Sequence, residues 1–510
     1  MGKNIVNMFV SSNFNLKSSL KNHKYFAKIS NSGLFDEDFY NKKYDDVSGD
    51  PLTHYLTKGY REGKLPSLNF DPDFYLNTYP DVKQADLNPL FHYIAYGKSE
   101  GKLSQQAYAI RRKEEICETN LAFLSNYEFD EEPLVSIIIL NRDGLNHLKR
   151  LFKDFDSKTN YSNYEIIVVD NASKDDSVKY LKSLDLPIKI IENDVNVSFS
   201  KGNNDAADIA NGDYLLLLNN DIEPTYGWLN EMVGCMLNND DVGSVGAKLI
   251  FPYYEDMKNQ EKSFSIQHAG VKFREERTPY VYGPYHSNIF STLIFSNEVN
   301  HQKEVISNTA ACLLVPKEVY ENLGGLDENY FYGYEDIDFA FKLHKNHYKS
   351  IFNPFALLFH HESATRVEDE DEKNRLNYEN IMYFYNKWGD YLFKEIFIDK
   401  INQNHFITDK KIDISIISKN DEFISKLVKD LNKRDFNVKL IPNLNNLAIG
   451  EDCDILISNN KDYDVDKIIS RLNIIKVLIS NEDDSRYDIC LEKSNDYANE
   501  LMNIIEEKYL

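Results

Sequence analysis

The sequences VSIIILNRDG at 135–144 and EIIVVDNASKDDS at 165–177 decide the fold class of this chain. Each begins as a continuous apolar run and ends in polar residues, and leucines at helical spacing lie between them at 145–151. Continuous apolar strands joined by a helix are typical of a βαβ unit whose sheet is buried on both faces. The runs at 188–193 and 214–221 continue the pattern. We therefore predict an α/β domain whose sheet is parallel in its first half.

Polar side chains lie where these apolar runs end. In an open α/β sheet, ligands bind beyond the carboxyl ends of the strands. Asn141, Asp170 with Asn171, and the triplet at 219–221 occupy those ends, so the sequence predicts a ligand site there. Taken alone, Asp170 fits equally well the cap of a following helix. The triplet, taken alone, is also explained as a polar turn after a buried strand.

An aromatic-rich motif occurs twice before the α/β domain. FDEDFYNKKYDDV at 35–47 returns as FDPDFYLNTYPDV at 70–82, and the residues 50–65 match 88–103. Aromatic and leucine spacings of three and four, ended by Gly or Pro, predict short helix pairs. Exposed aromatic rings can stack on sugars, but at helical spacing they more often form a core.

These patterns give a predicted domain order. We predict an N-terminal tail at 1–30, two helical repeats at 31–105, a linker helix at 106–132, the main α/β domain at 133–395 and a small Rossmann-like α/β domain at 396–510. The last domain alternates apolar strands with helical stretches. Its first strand is followed by SKND rather than by a Gly-rich turn, so no phosphate-binding role is predicted for it.

Composition and charge exclude several classes of function. The 510 residues include 58 basic and 82 acidic side chains, a net charge of −24, which is opposite to the charge of a nucleic-acid binder. The five cysteines are scattered without a CxxC pair, which favours a reducing cytoplasm over a disulfide framework or a zinc site. No apolar run approaches the roughly 18 to 20 residues of a membrane-spanning helix. Peripheral association with the inner face of a membrane stays open.

Six sequence blocks between about 133 and 365 resemble, in the same order, the blocks of family 2 glycosyltransferases of the rhamnosyltransferase-like type. They are VSIIILNRDG, IIVVDNASKDDS, NVSFSKGNN, GDYLLLLNNDIEP, NTAACLLVPKEVYENLGGLDENYFYGYEDIDFAFKL and the FHH after a late strand. The resemblance implies the GT-A fold, a Rossmann-like mixed sheet that binds a nucleotide-diphospho-sugar. It also implies sugar transfer with inversion at the anomeric carbon, with Mg²⁺ or Mn²⁺ as cofactor.

Position by position, the resemblance implies a nucleotide pocket. Asn141 and Asp170 match the residues that hold the nucleoside, and an Asp170 carboxylate that accepts the imide N–H of uracil or thymine favours a UDP or dTDP donor. Lys201, Asn203 and Asn204 match residues that line the same pocket.

The resemblance also implies a metal site. Asn219, Asn220 and Asp221 stand where the family carries its DxD motif, and Asp221 alone supplies charge. A hard cation held by carboxylate oxygen offsets the charge that develops on the leaving diphosphate. Asn219 or Asn220 contributes a carbonyl oxygen or binds the sugar. A histidine after the late strand completes the implied metal site, with His360 favoured over His361.

The implied general base is Asp336, which would take the proton from the acceptor hydroxyl. Its neighbour Glu335 is the second implied catalytic residue and would orient the acceptor. Because three carboxylates lie close together in the sequence, the negative charges of Glu335 and Asp338 would oppose ionisation of all three and raise the pKa of Asp336. Acidic residues at this point equally fit a helix N-terminus, where the helix dipole stabilises them. His268 lies in a recurrent family context without an assigned role.

Together, the residue patterns and the resemblance predict an inverting, metal-dependent glycosyltransferase that extends a cell-surface glycan or glycoconjugate. Its partners would be a nucleotide-diphospho-sugar donor and a glycan or lipid-linked acceptor. The alternative is a catalytically quiet nucleotide-sugar-binding scaffold in a polysaccharide-assembly complex. Self-association or recruitment of assembly partners through the repeats and the C-terminal domain stays open.

Overall fold

The structure is a computed structural model in which parts of the chain are described. The described residues are 25–67, 69–85, 87–100, 102, 104, 108–254, 259–275, 282–331, 333–361, 370–418, 422–441, 453–459, 475–480, 484–491 and 496–509. Most of the predicted N-terminal tail, residues 1–24, lies outside them. The chain divides into two compact units, Met1–Thr119 and Asn120–Leu510. The predicted domain boundaries stay predictions.

The first unit is built from helices, and among the described ones four short helices have an N-terminus capped by a side chain. Asp36, Asp50, Asp71 and Asn88 each accept a hydrogen bond from the backbone N–H three residues later, which satisfies a group that the helix leaves unpaired. The helices are α1 (Glu37–Lys43), α2 (Pro51–Thr57), α3 (Pro72–Thr78), α4 (Pro80–Gln84) and α5 (Pro89–His92), with a 3-10 helix at Gly59–Glu62 and a π-helix at Tyr93–Gly97. Helix α6 (Tyr108–Leu121) begins in this unit and ends two residues beyond its boundary.

Aromatic side chains form the core of this unit. Tyr40 and Tyr75 hold equivalent positions in the two repeats and both are fully buried. The Tyr40 hydroxyl lies 3.0 Å from Nδ1 of His54, and the Tyr75 hydroxyl lies 2.9 Å from Nδ1 of His92. The sequence repeat is therefore also a repeat of one buried tyrosine–histidine hydrogen bond.

A mixed sheet forms the centre of the second unit. Its strands are β1 (Val135–Asn141), β2 (Tyr164–Asn171), β3 (Ile188–Asn193), β4 (Tyr214–Asn219), β5 (Ile222–Pro224), β6 (Val242–Ile250), β7 (Ile266–His268), β10 (Lys303–Val305), β11 (Cys312–Pro316) and β12 (Lys349–His360), and a separate hairpin pairs β8 (Val271–Glu275) with β9 (Tyr282–His286). The order across the sheet is β10-β12-β6-β11-β4-β1-β2-β3, with β5 beside β12 and β7 beside β6. Strands β4, β1, β2 and β3 are parallel, as predicted, whereas β11 runs antiparallel to its neighbours.

Helices cover both faces of this sheet, which explains why its strands are apolar throughout. Along β1, Ile137 and Ile139 belong to one core cluster and Ile138 to another on the opposite face. The helices are α7 (Leu145–Leu151), α8 (Phe155–Thr159), α9 (Ser177–Leu181), α10 (Phe199–Ile209), α11 (Trp228–Leu237), α12 (Lys317–Asn322), α13 (Glu335–Lys345) and α14 (Glu370–Asn402). Among the described helices, none combines the length and the apolar character needed to cross a membrane.

A second, parallel sheet follows α14. Its order is β14-β13-β15-β16-β17, and every pair in it is parallel. The elements are β13 (Asp413–Ile417), α15 (Glu422–Asn432), β14 (Asn437–Ile441), β15 (Ile455–Ser458), β16 (Ile475–Ile479), β17 (Ile489–Leu491) and α16 (Tyr497–Tyr509). Both α/β regions predicted from the sequence are therefore present.

Candidate active site

A cavity of about 730 Å³ opens at the carboxyl ends of β1, β2 and β4. Asn141, Asn171 and Asn219 are the last residues of these strands and line it, because parallel strands end at the same edge of the sheet. The N-terminus of α13, the hairpin β8–β9 and the start of α14 supply other walls. The described lining residues are Leu140, Asn141, Arg142, Asn171, Asn196, Val197, Phe199, Asn219, Asn220, Asp221, Val271, Pro284, Tyr285, His286, Thr309, Ala310, Ala311, Gly333, Tyr334, Glu335, Asp336, Ile337, His360, Asn374, Leu376 and Asn377.

Asp221 and His360 meet at one wall of the cavity. Antiparallel pairing of β5 with β12 sets His360 opposite Ile222, next to Asp221 in the chain. The Nε2 atom of His360 lies 3.1 Å from Oδ1 of Asp221 and 3.3 Å from the amide nitrogen of Asn219. Its other ring nitrogen, Nδ1, lies 2.7 Å from Oε1 of Gln267. These contacts fix the plane of the imidazole.

The spacing of this pair fits a hard divalent cation. Two ligands at right angles around Mg²⁺, with bonds of about 2.1 Å, lie about 3.0 Å apart, close to the 3.1 Å between Asp221 Oδ1 and His360 Nε2. In the described part of the chain, no cluster of three or more His, Cys, Asp or Glu side chains could hold a metal ion. Further ligands would therefore be amide oxygens, water or oxygens of a bound diphosphate.

His361 faces away from this pair. Its Nε2 atom lies 3.4 Å from Oε2 of Glu223, and its backbone N–H donates to the carbonyl of Asp221. Successive side chains of an extended strand point to opposite faces, so only one of the two histidines can enter the cavity. The structure places His360 there.

Asparagine side chains connect the ends of the first strands. The Asn220 amide donates to Oδ1 of Asn141 at 2.9 Å, and the Asn141 amide donates to Oδ1 of Asp170 at 3.1 Å. A Cβ atom at Gly144 would overlap both asparagine side chains, so the glycine permits their close approach. Asn141 and Asn220 line the cavity, whereas Asp170 supports them from behind.

Asp170 is occupied by a local turn. Its Oδ2 atom accepts from the backbone N–H of Ser173 at 3.0 Å, and its Oδ1 accepts from the Ser173 hydroxyl at 2.6 Å. The side chain is 3% exposed and is not part of the cavity lining. Asp170 therefore does not cap the following helix α9, whose N-cap is Asp176; its carboxylate is held by the turn at Ser173.

Lys201 and Asn203 also lie outside the cavity lining. The Lys201 ammonium pairs with Asp205 at 2.5 Å, one helical turn later on α10. The Asn203 amide donates to the carbonyl of Phe199 at 2.9 Å within the same helix. Both predicted pocket residues are thus engaged by their own helix, while Phe199 at its first turn lines the cavity instead.

Asn204 joins α10 to the loop after α12. Its Oδ1 atom accepts from the Tyr320 hydroxyl at 2.7 Å and from the Leu326 N–H at 3.0 Å. Its amide donates to the Leu326 carbonyl at 2.9 Å and to Glu328 at 3.0 Å. All polar atoms of this side chain are used, and it does not line the cavity. The structure therefore shows a role for Asn204 in holding the loop.

Asp336 and Glu335 enter the cavity at the first turn of α13. The Oδ2 atom of Asp336 accepts from the Ala310 N–H at 3.2 Å, and its Oδ1 accepts from the Ile337 N–H at 2.8 Å. Burial raises the pKa of Asp336 above its ordinary value, and these backbone donors oppose the rise without cancelling it. Tyr334, directly before the helix, has a φ of 74°, a conformation found often at functional sites.

A pair of histidines lies beside the cavity. His286, at the end of β9, is a lining residue, and its Nδ1 atom lies 2.8 Å from Nδ1 of His268. His268 is 1% exposed, and burial followed by the neighbouring His286 lowers its pKa well below the ordinary value. His268 therefore stays neutral and supports a cavity residue, a role that its sequence context did not reveal.

Sequence reasoning missed several lining residues. Arg142 directly follows Asn141, a residue singled out at a strand end, so proximity in the chain could have indicated it. Asn171, which was predicted at the end of its strand together with Asp170, does line the cavity. Tyr285, His286 and Asn377 come from the hairpin and from α14, which carry no motif that could have indicated them.

Comparison with known proteins shows which family one part of the chain matches. Residues 135–302 match the family described as Glycosyl transferase family 2. The chain is 32% identical over 270 residues to the uncharacterized protein y4gI of Sinorhizobium fredii, covering 52% of this chain and 28% of that protein. It is 30% identical over 243 residues to the O-antigen biosynthesis protein RfbC of Myxococcus xanthus, covering 46% of this chain and 18% of RfbC. The chain thus spans less than a third of the length of either relative.

Among solved structures, the chain is similar to that of GalNAc-T7 with UDP, GalNAc and Mn²⁺, with a TM-score of 0.38, 15% identity and coverage of 50% of each chain. At this TM-score and identity, the similarity does not assign a function to the chain. The family match and the mixed sheet agree with the sequence blocks. Residues 135–302, which contain the strands β1, β2 and β4 that end at the cavity, are therefore a family 2 glycosyltransferase domain.

Proposed function

We propose that this protein is an inverting, divalent-metal-dependent glycosyltransferase. It transfers a sugar from a UDP- or dTDP-sugar to a hydroxyl of a growing cell-surface glycan or glycoconjugate. The observation that carries the proposal is that Asp221, His360 and Asp336, which are far apart in the chain, line one cavity. A cation-binding pair and a half-buried carboxylate in one cavity supply what transfer from a diphosphate requires.

The acceptor side of the reaction depends on Asp336. The acceptor oxygen forms a bond to the anomeric carbon while the bond from that carbon to the phosphate oxygen breaks. The electron pair leaves with the diphosphate, and the acceptor proton passes to the Asp336 carboxylate. Because burial raises the pKa of Asp336, it is a stronger base than an exposed aspartate. Attack on the face opposite the leaving group inverts the configuration.

The leaving-group side depends on Asp221 and His360. A divalent cation held by these two side chains would offset the negative charge that develops on the diphosphate. The amides of Asn219 and Asn220 line the same wall and can donate hydrogen bonds to donor oxygens.

The donor end of the cavity carries hydrogen-bonding groups and a cation. Asn141, Asn171 and Asn196 contribute amides, and Arg142 contributes a guanidinium, the side chain best suited to bind phosphate oxygens in pairs. We assign the nucleoside diphosphate to this end.

The relatives support the proposed acceptor class. RfbC is named for O-antigen biosynthesis, so we propose a cell-surface glycan or a lipid-linked precursor as acceptor. We also propose a cytoplasmic location, because five scattered cysteines without a CxxC pair favour a reducing compartment.

A screen of donors tests the proposal. Release of nucleoside diphosphate would be measured with UDP-, dTDP- and GDP-sugars, each with Mn²⁺, Mg²⁺ or EDTA. We expect release from a UDP- or dTDP-sugar that EDTA abolishes, and NMR of the product glycoside should show the inverted anomeric configuration. Tight donor binding without turnover in any mixture would instead support the scaffold alternative.

A further inference from the structure

Strand β7 contributes a buried glutamine to the wall of the proposed metal site. Gln267 is 6% exposed and lies between Ile266 and His268, on a strand that pairs with β6 across an irregularity in register. Its Oε1 atom lies 2.7 Å from Nδ1 of His360. Within the described part of the chain, this side chain makes no other hydrogen bond, so its polar contact is with the imidazole.

Two of the three described polar neighbours of His360, Gln267 and Asn219, favour one tautomer of its ring. The Gln267 oxygen can only accept, so Nδ1 must carry the hydrogen. On the other side, the Asn219 amide nitrogen, 3.3 Å from Nε2, can only donate. A neutral imidazole between these partners has its lone pair on Nε2. The Asp221 carboxylate, 3.1 Å from that nitrogen, can only accept, so it opposes this form until a cation lies between the two atoms. This is the form of histidine that binds a metal ion through Nε2.

We propose that Gln267 is a positioning residue that holds His360 in its metal-binding tautomer and orientation. The inference rests on the proposed function, because it assumes that Asp221 and His360 hold the cation. Partners of the second ring nitrogen commonly fix the tautomer of metal-binding histidines and typically change metal affinity by about 10- to 100-fold. A neutral amide here fixes the tautomer without adding a charge to a site that already contains Asp221.

Variants at position 267 test the inference. Gln267→Leu removes the acceptor, and Gln267→Glu keeps it. We expect Gln267→Leu to weaken Mn²⁺ binding, measured by calorimetry or by the EPR signal of free Mn²⁺, by about 10- to 100-fold. Gln267→Glu should retain affinity within a few-fold of the unmodified protein. Gln302→Leu is the matched control, because Gln302 donates to the hydroxyl of Tyr127 and lies outside the cavity.

A second measurement needs no donor and is made with saturating Mg²⁺, which is diamagnetic and places a cation between His360 and Asp221. Two-bond ¹H–¹⁵N spectra of the full chain report the tautomer of His360, assigned with His360→Gln. We expect hydrogen on Nδ1 in the unmodified protein and in Gln267→Glu, and a changed or mixed tautomer in Gln267→Leu. Equal Mn²⁺ affinity in folded Gln267→Leu, or hydrogen on Nε2 throughout, would overturn the inference. If no sugar is transferred, although the His360 tautomer and its dependence on Gln267 are as expected, the proposed function is overturned. The inference about Gln267 then still holds.

Discussion

Asp336 is the residue whose surroundings decide the chemistry of the cavity. Backbone N–H groups of Ala310 and Ile337 reach one oxygen each, so the carboxylate is held in one orientation. Burial still raises its pKa, because the low-dielectric surroundings penalise the charged form more than these two hydrogen bonds favour it. A carboxylate that is fixed and unusually basic is well suited to take a proton from a hydroxyl.

Replacing this base should separate binding from turnover. In Asp336→Asn the amide cannot accept the proton, so we expect kcat for sugar transfer to fall by about 10²- to 10⁴-fold. Binding of UDP with Mn²⁺, measured by calorimetry, should stay within about threefold, since donor and cation are assigned to other walls. Glu318→Gln, on the exposed side of α12, is the control. Unimpaired turnover in Asp336→Asn would remove this residue from the base role.

The pH dependence of turnover follows from the same group. The base must be ionised, so kcat should rise with pH through the pKa of Asp336. Because burial raises that pKa, the acid limb should have its midpoint above the value of about 3.9 for an ordinary aspartate. A rate profile between pH 4 and 8 checks this. A profile that is flat throughout this range, or that falls as pH rises from 4, would contradict the assignment.

At the scale of elements, each N-terminal repeat depends on a close approach between a helix and a tyrosine. Gly59 lies in the 3-10 helix, and a Cβ atom there would overlap the buried hydroxyl of Tyr40. Gly97 and Tyr75 repeat the same contact in the second copy. The glycines were part of the sequence repeat, but only the structure shows what they make room for.

Gly59→Ala tests this packing. We expect it to lower the free energy of unfolding by about 1–3 kcal/mol, measured by urea denaturation, because the tyrosine ring has no space to move. In a Tyr40→Phe background, Gly59→Ala should lower the free energy of unfolding by a smaller amount, because the hydroxyl that the Cβ atom would overlap is absent. Gly389→Ala, where the added Cβ would make ordinary contact with Tyr385 at 3.6 Å, is the control. Equal costs in both backgrounds would show that the clash is not the cause.

Strand ends are the part of the site that could be predicted from the sequence. The carboxyl ends of β1, β2 and β4 follow from apolar runs that end in polar residues, and Asn141 and Asn220 were found in this way. Gln267 was not predicted to contact His360, nor Asn204 to bind the loop at Leu326, because such contacts join residues about 90 or more positions apart. Local sequence patterns predict where a strand ends, whereas the pairing of strands that are distant in the chain depends on the packing of the whole sheet.

At the scale of the second unit, a buried ion pair joins the glycosyltransferase domain to the C-terminal sheet. Lys400 on α14 donates to both oxygens of Asp454, at 2.8 and 3.0 Å, and to the Tyr282 hydroxyl of β9 at 3.2 Å. Burial alone would lower the pKa of Lys400, but Asp454 outweighs it and raises the pKa. Asp454 also accepts from the backbone N–H of Asp413 at the start of β13. One pair therefore connects the hairpin, α14 and the second sheet.

Breaking this pair should destabilise the unit as a whole. Lys400→Met leaves Asp454 buried without its cation, so we expect a loss of about 3–5 kcal/mol in the free energy of unfolding, measured in urea. Lys411→Met is the matched control: its pair with Asp435 is exposed, and we expect a change of at most about 1 kcal/mol. A similar small effect for both variants would show that the buried pair does not hold the second sheet to the domain.

The central claim is that one cation bridges Asp221 and His360 in a cavity that also contains Asp336. An anomalous difference map from crystals grown with UDP and Mn²⁺ tests it most directly. The account predicts one peak within about 2.0–2.3 Å of both Asp221 Oδ1 and His360 Nε2, with the UDP pyrophosphate on the same ion and the Asp336 carboxylate exposed to the same cavity. A Mn²⁺ peak bound elsewhere, or UDP bound without contact to this pair, would contradict it.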